Sequence, residues 1–391
     1  MRSATSLDPG VFELDPDGRR CFRPAAPRFP AIEDILDVLD PATTAVREFD
    51  RALSAWERPG LVGRLFARLD AVHSSGAEGS TTTFSELMEY QSSLRTAPDP
   101  DDAAAVAACA EAIETEPRGD LDPVEVALRI HHRLFAKSRD RIAAAEAGRP
   151  KTRVNGTADA EAPGGFFYYT QPASVAAALD DWRRFTVASD PRTPEIVRQI
   201  LSHWMFEHIH PVPDGNGRIG RLLVPLMLRS KGATRAACAF CGEAVHEDKA
   251  LYVEALKAAR LSADMGPWTR LMLSFLRRTA AADLGRLTRL AAVEAKWRRI
   301  ASAFRSDSMV HKLAPFALTR PVFTMRDALD AIGGTFASVN TAATRLVEAG
   351  VLTIANGARR DRLFQAGAVL EIFDRFRAGA GRLRWAARDI S

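Results

Sequence analysis

Residues 210–221 run His-Pro-Val-Pro-Asp-Gly-Asn-Gly-Arg-Ile-Gly-Arg. His210 carries the one side chain here whose ordinary pKa lies near neutrality, so it can take a proton from a weak nucleophile such as a hydroxyl. Asp214 is a hard oxygen ligand suited to Mg²⁺, which binds through one or two carboxylates plus substrate phosphates. Gly215 and Gly217 let the backbone turn sharply and come close to a ligand, and their N–H groups can cradle an anion. Arg218 and Arg221 share one face if a helix begins here, and guanidinium groups grip phosphate bidentately. The combined chemistry is the handling of a nucleotide's phosphates. A tight turn alone would explain the glycines but not the flanking histidine and the paired arginines.

The elements around the stretch suit that chemistry. Ile219 to Arg229 is apolar enough for a buried helix, with a local kink expected at Pro225. The Gly-rich turn therefore leads into a helix N-terminus, where the dipole favours negative charge. Pro194 to Ile209 reads as a second core helix, with Pro194 in its first turn.

The segment resembles the signature of the Fic family: His-Pro, usually Phe, a variable residue, Asp or Glu, Gly-Asn-Gly-Arg, two variable residues and Arg. Val212 stands where the family usually has Phe. The resemblance implies transfer of AMP from ATP to a Ser, Thr or Tyr hydroxyl of a target protein. It implies His210 as the base, Asp214 as the Mg²⁺ ligand and Asn216 on the α-phosphate. Gly215 and Gly217 would present N–H groups, and Arg218 and Arg221 would bind the outer phosphates. A family branch that transfers phosphate has Lys at the position of Gly217, so this chain resembles the AMP-transferring branch. By the same resemblance Tyr252, on an amphipathic helix over Glu247 to Arg260, would lie near the adenine.

A second segment, Ser74-Ser75-Gly76-Ala77-Glu78-Gly79, resembles the family's inhibitory motif: Ser or Thr, three variable residues, Glu, then Gly or Asn. That resemblance implies that Ser74 and Glu78 belong to an inhibitory element, and that Glu78 pairs with Arg221 against the γ-phosphate. Ala77 replaces a long apolar residue, and Gly76 inside a helix costs about 1 kcal/mol relative to Ala. A short or loosely docked inhibitory helix is expected.

The rest of the chain frames this site. With 391 residues and 47% hydrophobic content it is long enough for two or three domains with real cores. No apolar run is long enough to span a membrane, and the N-terminus lacks an apolar signal core, so a cytoplasmic protein is expected. Four scattered cysteines do not make a disulfide framework; Cys238 and Cys241 with His246 lack a fourth zinc ligand. The expected fold is mostly α: a Fic-type helical bundle with a small β-hairpin flap, plus a C-terminal winged helix-turn-helix.

The expected domains are 1–120, a helical region with the inhibitory segment 74–79; 121–285, the catalytic core; and 286–391, a linker and the winged domain. Residues 1–45 read as Pro-rich loop, followed by helix from Pro41 to Asp70. Thr83 to Met88 reads as a capped helix start. Helices are expected over Asp101–Glu116, Pro123–Lys137, Ser174–Val187 and Trp268–Thr279. Arg149 to Tyr169 reads as a hairpin flap that, by the resemblance, aligns a target's main chain by strand addition.

Thr324–Ala331 and Ser338–Ala349 read as two helices joined around Gly333-Gly334, with short strands over Val351–Ile354 and Arg362–Gln365. Val339, Ala342, Ala343, Leu346 and Val347 should face the core. Asn340, Thr341, Thr344 and Arg345 should form an exposed recognition face, with Arg359, Arg360 and Arg362 a basic wing. Residues 286–391 hold 18 Lys/Arg against 9 Asp/Glu, within a chain of net charge +4. That asymmetry suits a polyanion partner, DNA in particular, although such modules also serve as homodimer or docking surfaces. Two other readings stay open. One is a DNA-binding regulator whose Fic body senses nucleotide. The other is a Fic enzyme that removes AMP or uses another nucleotide.

Overall fold

The computed structural model describes residues 9–92, 94, 98–117, 119–355 and 362–374. The protein is mostly helical, with two small sheets. It divides into two units: Met1–Thr82 with Asp99–Gly285, and Thr83–Pro98 with Arg286–Ser391. The N-terminal residues thus belong with the 99–285 segment, and a short internal segment belongs with the C-terminal region. The chain leaves the first unit at Thr82, shortly after Glu78, and returns at Asp99.

The first unit begins with a hairpin, β1 (Gly10–Leu14) and β2 (Arg20–Pro24), where sequence reading expects only loop. The Asp15-Pro16-Asp17-Gly18 turn makes it. Asp15 Oδ1 accepts from the N–H groups of Asp17 (3.0 Å) and Arg19 (2.8 Å), and Gly18 takes φ 80°. Helices α1 (Leu36–Ser54) and α2 (Pro59–Gly76) follow, separated by a break where one continuous helix is expected. The helix α3 (Phe84–Tyr90) belongs to the second unit. It opens with the expected capping box: Thr83 N–H donates to Glu86 Oε2 (2.7 Å), and Glu86 N–H donates to Thr83 Oγ1 (3.3 Å).

Helices α4 (Pro100–Thr115) and α5 (Pro123–Phe135) each start with Pro in the first turn after an Asp cap. After α6 (Arg141–Glu146) comes the expected hairpin, β3 (Gly156–Ala158) against β4 (Phe166–Tyr168). It joins β1 and β2 in one sheet, ordered β1-β2-β4-β3, through a parallel pairing of Cys21 with Tyr168.

The core lies around α8 (Glu195–Ile209), in which every residue from Ile196 to Ile209 is buried. Its neighbours are α7 (Pro172–Val187), α9 (Asn216–Ser230) and β2. Pro194 caps α8 rather than entering its first turn, and α9 continues past Pro225 to Ser230. Helices α10 (Gly242–Glu247), α11 (Lys249–Ser262) and the part of α12 (Gly266–Ala301) up to Gly285 complete the unit; α12 runs well beyond the expected stretch, its remainder belonging to the second unit. Trp268, Met272, Phe275, Leu276 and Ala280 form its buried stripe at helical spacing.

The second unit contains α13 (Val310–Thr319), β5 (Val322–Thr324), α14 (Met325–Ile332), α15 (Phe336–Glu348), β6 (Thr353–Ile354), β7 (Leu363–Gln365) and α16 (Gly367–Phe373). Its sheet is ordered β5-β7-β6, antiparallel throughout. Strand β5 was not apparent from the sequence. Gly333 and Gly334 both take positive φ between α14 and α15. Val339, Ala342, Ala343 and Leu346 are buried, whereas Val347 is only partly so. Arg359 and Arg360 lie outside the described residues.

Close approach of α8 and α9 depends on Gly220. A Cβ there would meet Glu207 Oε1 at 2.3 Å and His203 Nδ1 at 2.9 Å. Gly220→Ala should destabilise the protein by about 1–3 kcal/mol through overpacking. Urea unfolding measures this, and an unchanged midpoint would contradict the packing described.

Candidate active site

The loop from His210 to Gly215 joins the two core helices, and its shape is fixed from both ends. His210 ends α8 in the left-handed region, at φ 50° and ψ 56°. For a residue with a side chain that conformation costs about 1–3 kcal/mol, and surrounding contacts must hold it. Val212 is fully buried and anchors the loop from within. Its N–H donates to Asn216 Oδ1 (3.1 Å), and its carbonyl accepts from Asn216 Nδ2 (2.8 Å). Asn216 is therefore engaged as a staple across the loop, buried at the start of α9.

Lys151 and Asn155 hold the other side. Lys151 N–H donates to the Pro211 carbonyl (2.8 Å), and its Nζ donates to Asn155 Oδ1 (2.6 Å) and the Ile209 carbonyl (3.3 Å). Asn155 Nδ2 reaches the Val212 carbonyl at 3.1 Å. Burial pushes the Lys151 ammonium down to about 7. Neither residue was singled out from the sequence. Their spacing of four within a polar stretch is the only signal, and it does not show that the backbone of the loop is their target.

His210 is held as a neutral imidazole. Burial, helped by the nearby Lys151 charge, pushes its imidazole down to about 3. Its Nδ1 lies 3.1 Å from the Glu207 carbonyl, which can only accept. This assigns the proton to Nδ1 and leaves the lone pair on Nε2. The Tyr169 ring is stacked on the imidazole, with centroids 3.9 Å apart and planes 6° from parallel.

Asp214 projects outward, its side chain 75% exposed, and one oxygen accepts from the Gly215 N–H at 2.6 Å. The described residues contain no group of three or more His, Cys, Asp or Glu side chains able to hold a metal. This exposed carboxylate, one oxygen of which lies 3.8 Å from Arg218 Nη2, fits a Mg²⁺ ion whose other ligands are phosphates and water. Gly215 caps α9 at φ 80°, and Phe135 packs so close that a Cβ there would lie 3.0 Å from its ring. Arg218 reaches back over the same Phe135 ring, 5.6 Å from its centroid. Its Nε is buried with no hydrogen-bond partner. A guanidinium with one buried N–H left without a hydrogen bond, beside a helix N-terminus, is an electrostatic setting for an anion.

Arg221 is buried to 2% exposure. Its Nε donates to Ser74 Oγ (2.8 Å), and its Nη2 donates to the Ser74 carbonyl (2.9 Å) and to Glu78 Oε1 (2.6 Å). Burial raises the Glu78 carboxyl, but the Arg221 charge and hydrogen bond outweigh it and hold the group below its usual range. Gly217 makes room: a Cβ there would meet Glu78 Oε1 at 2.4 Å. The expected Ser74 and Glu78 thus both reach Arg221, from the last turn of α2 and the turn that follows it.

Gly76 has its own reason. A Cβ at that position would lie 2.5 Å from the ring of His246 on α10. His246 Nδ1 in turn lies 3.4 Å from His73 Nδ1 on α2. The glycine that weakens the helix end in isolation lets α10 press against it.

Tyr252 lies in the core, with its hydroxyl 2.7 Å from His203 Nε2. Close by, burial pushes the Glu207 carboxyl up to about 8, so it stays protonated at neutrality. Cys238 and Cys241 are buried and free. In the second unit Thr341, Thr344 and Arg345 are exposed, Asn340 is partly so, and Arg362 donates to Asn340 Oδ1.

The Fic/DOC family profile matches residues 120–228, so this segment carries a Fic/DOC domain. The match runs from just before α5 through most of α9; Ser74 and Glu78 lie outside it. A probable protein adenylyltransferase of Aquifex aeolicus (strain VF5) is 36% identical over 69 residues. That stretch is 17% of this chain and spans only 19% of the relative's length. A solved Fic family protein from Desulfovibrio desulfuricans G20 covers 87% of this chain and 98% of its own, with TM-score 0.54 and 18% identity. At that identity the likeness is one of fold. No helix among the described residues is long and apolar enough to cross a membrane.

Gly76→Ala should push His246 aside and loosen the turn that carries Glu78. Amide hydrogen exchange over residues 74–79 should then speed up relative to α8. Unchanged exchange would show that the His246 contact does not hold this turn.

Proposed function

We propose that this chain transfers AMP from ATP to a hydroxyl side chain of a target protein, and that its own Glu78 restrains the reaction. The observation that carries the restraint is the 2.6 Å contact of Glu78 with Arg221. A carboxylate on that guanidinium competes with a phosphate for the same donors.

In the proposed reaction the unprotonated Nε2 of His210 takes the proton from the target hydroxyl. The hydroxyl oxygen bonds to the α-phosphorus as the bond to the bridging oxygen breaks, and pyrophosphate leaves. Arg218, the free N–H groups at the start of α9, and Arg221 once released would hold the phosphates. Asp214 would hold Mg²⁺, which when bound neutralises charge on the departing phosphates. Asn216 would act by keeping the loop in shape, since its amide is engaged with Val212. The core position of Tyr252 supports a role behind the nucleotide site, through His203, better than direct stacking on adenine. The flap edge β3 would present its backbone to the target.

The clamp is of a strength that a ligand can overcome. The Glu78 side chain is 39% exposed, so its pair with Arg221 is screened and worth far less than a fully buried one. Glu78→Gly should raise transfer at least about tenfold, an increase equivalent to roughly 1.4 kcal/mol. Adding His210→Ala should abolish it. Incubation with ATP labelled at the α-phosphate and Mg²⁺ tests both. Label that fails to reach protein in Glu78→Gly, despite ATP binding, would refute the assignment.

A second reading has its own support. The order β5, α14, α15, β6, β7, with a tight glycine turn between the helices, supports reading this unit as a winged helix-turn-helix. Its C-terminal region has a basic excess. We infer a DNA-contacting role for this unit, with α15 as the recognition helix. Because Thr83–Pro98 belongs to the same unit, the full chain is the material to test. Duplex affinity should fall steeply with salt and weaken further in Arg345→Ala; salt-independent or absent binding would leave docking or dimerisation as its role.

A further inference from the structure

We propose that Tyr169 is a positioning residue for the base His210, and that an ionic latch between the flap and α11 holds Tyr169 in place. This rests on the reading of His210 as the base. The stack covers one face of the imidazole at 3.9 Å and 6°. The contact of Nδ1 with the Glu207 carbonyl fixes the ring's rotation. Together they leave Nε2 pointing away from both, in a residue whose backbone is already in the left-handed region. A ring constrained in two directions loses less orientation on meeting the target hydroxyl.

Phe167 and Thr170, neighbours of Tyr169, are buried, while Tyr169 itself is only partly so. Its N–H donates to the Asn155 carbonyl (3.1 Å), which ties it to the residue that also staples the motif loop. The Phe167 ring meets it edge-on at 5.2 Å and 88°. Phe167 is in turn covered by the Arg260 guanidinium, 3.9 Å above its ring. Arg260 also donates to Asp159 Oδ2 (2.9 Å), and Lys257 reaches Asp159 Oδ1 (2.8 Å) and Glu161 (3.1 Å). Asp159 follows β3 directly, so α11 grips the flap near its tip and steadies β4, which ends beside Tyr169.

The charged and titratable groups acting on His210 are Lys151, His208 and Glu78. Those acting on Tyr169 are Glu207, Arg260, Glu78 and Asp159. Burial lifts the Tyr169 hydroxyl above its ordinary value, so it stays protonated throughout the working range. The contribution is therefore that of the ring, which shields the imidazole from water and fixes its plane.

The test uses the full chain. In the Glu78→Gly background, Tyr169→Leu should lower kcat about 10- to 100-fold, the cost of a misplaced catalytic group, while the KM for ATP changes little. Its acid limb should move up toward the ordinary histidine range. Tyr169→Phe should restore most of the rate, and Asp159→Asn should give a milder loss of the same kind. In parallel, NMR titration of the His210 ring in the Glu78-intact protein should show it neutral down through the ordinary histidine range, and shifted upward in Tyr169→Leu. Unchanged kcat and unchanged titration in Tyr169→Leu would overturn the proposal. If no variant transfers AMP, the reaction reading fails, and the titration alone decides: an upward shift supports the role of Tyr169 and no shift refutes it.

Discussion

The Arg221 guanidinium is a charge taken almost wholly out of water, and much of the site is arranged to make that tolerable. An unpaired buried cation is costly, so every accessible donor direction needs an acceptor. Ser74 supplies two, a hydroxyl and a carbonyl, and Glu78 supplies the countercharge. Gly217 leaves room for that carboxylate. The nearby Glu207 is kept protonated by burial, so it does not compete as a second anion. A phosphate arriving at Arg221 would replace one negative partner with another, and the guanidinium would never be left alone.

The same burial acts on Lys151 and His210. Lys151 and His210 sit close together beneath the loop, and desolvation disfavours the charged form of each. Their hydrogen bonds run to backbone carbonyls and to Asn155, not to carboxylates. A carboxylate partner would instead have favoured the protonated imidazole. The site thus separates its charges: the cations Arg218 and Arg221 lie on α9, while the buried His210 imidazole is uncharged.

Much of this was legible in the residues. The motif, its helix on either side, the flap hairpin and the capping box at Thr83 follow from local pattern, because each depends on residues a few positions apart. The β1–β2 hairpin was missed, although Asp-Pro-Asp-Gly is a turn signal. Its strands are short, and their place in the sheet is set by pairing with β4, far away in the chain. Gly76 read as a defect because its partner, His246, is distant in sequence. Lys151 and Asn155 gave only a spacing of four and Tyr169 only its place in the aromatic end of the flap, since their targets are backbone atoms and a ring face in the motif loop.

By itself the sequence determined which groups are present and which of them share a turn or a helix face: His210, Asp214, the glycines, Arg218 and Arg221. Those relations are local, and the periodicity of a helix and the conformational freedom of glycine suffice to read them. Only the tertiary structure decided their chemical state. Whether His210 is neutral, whether Glu207 holds its proton and whether Arg221 is already paired are questions of desolvation and contact, and the burial that answers them comes from packing α2, α8, α9 and the flap together.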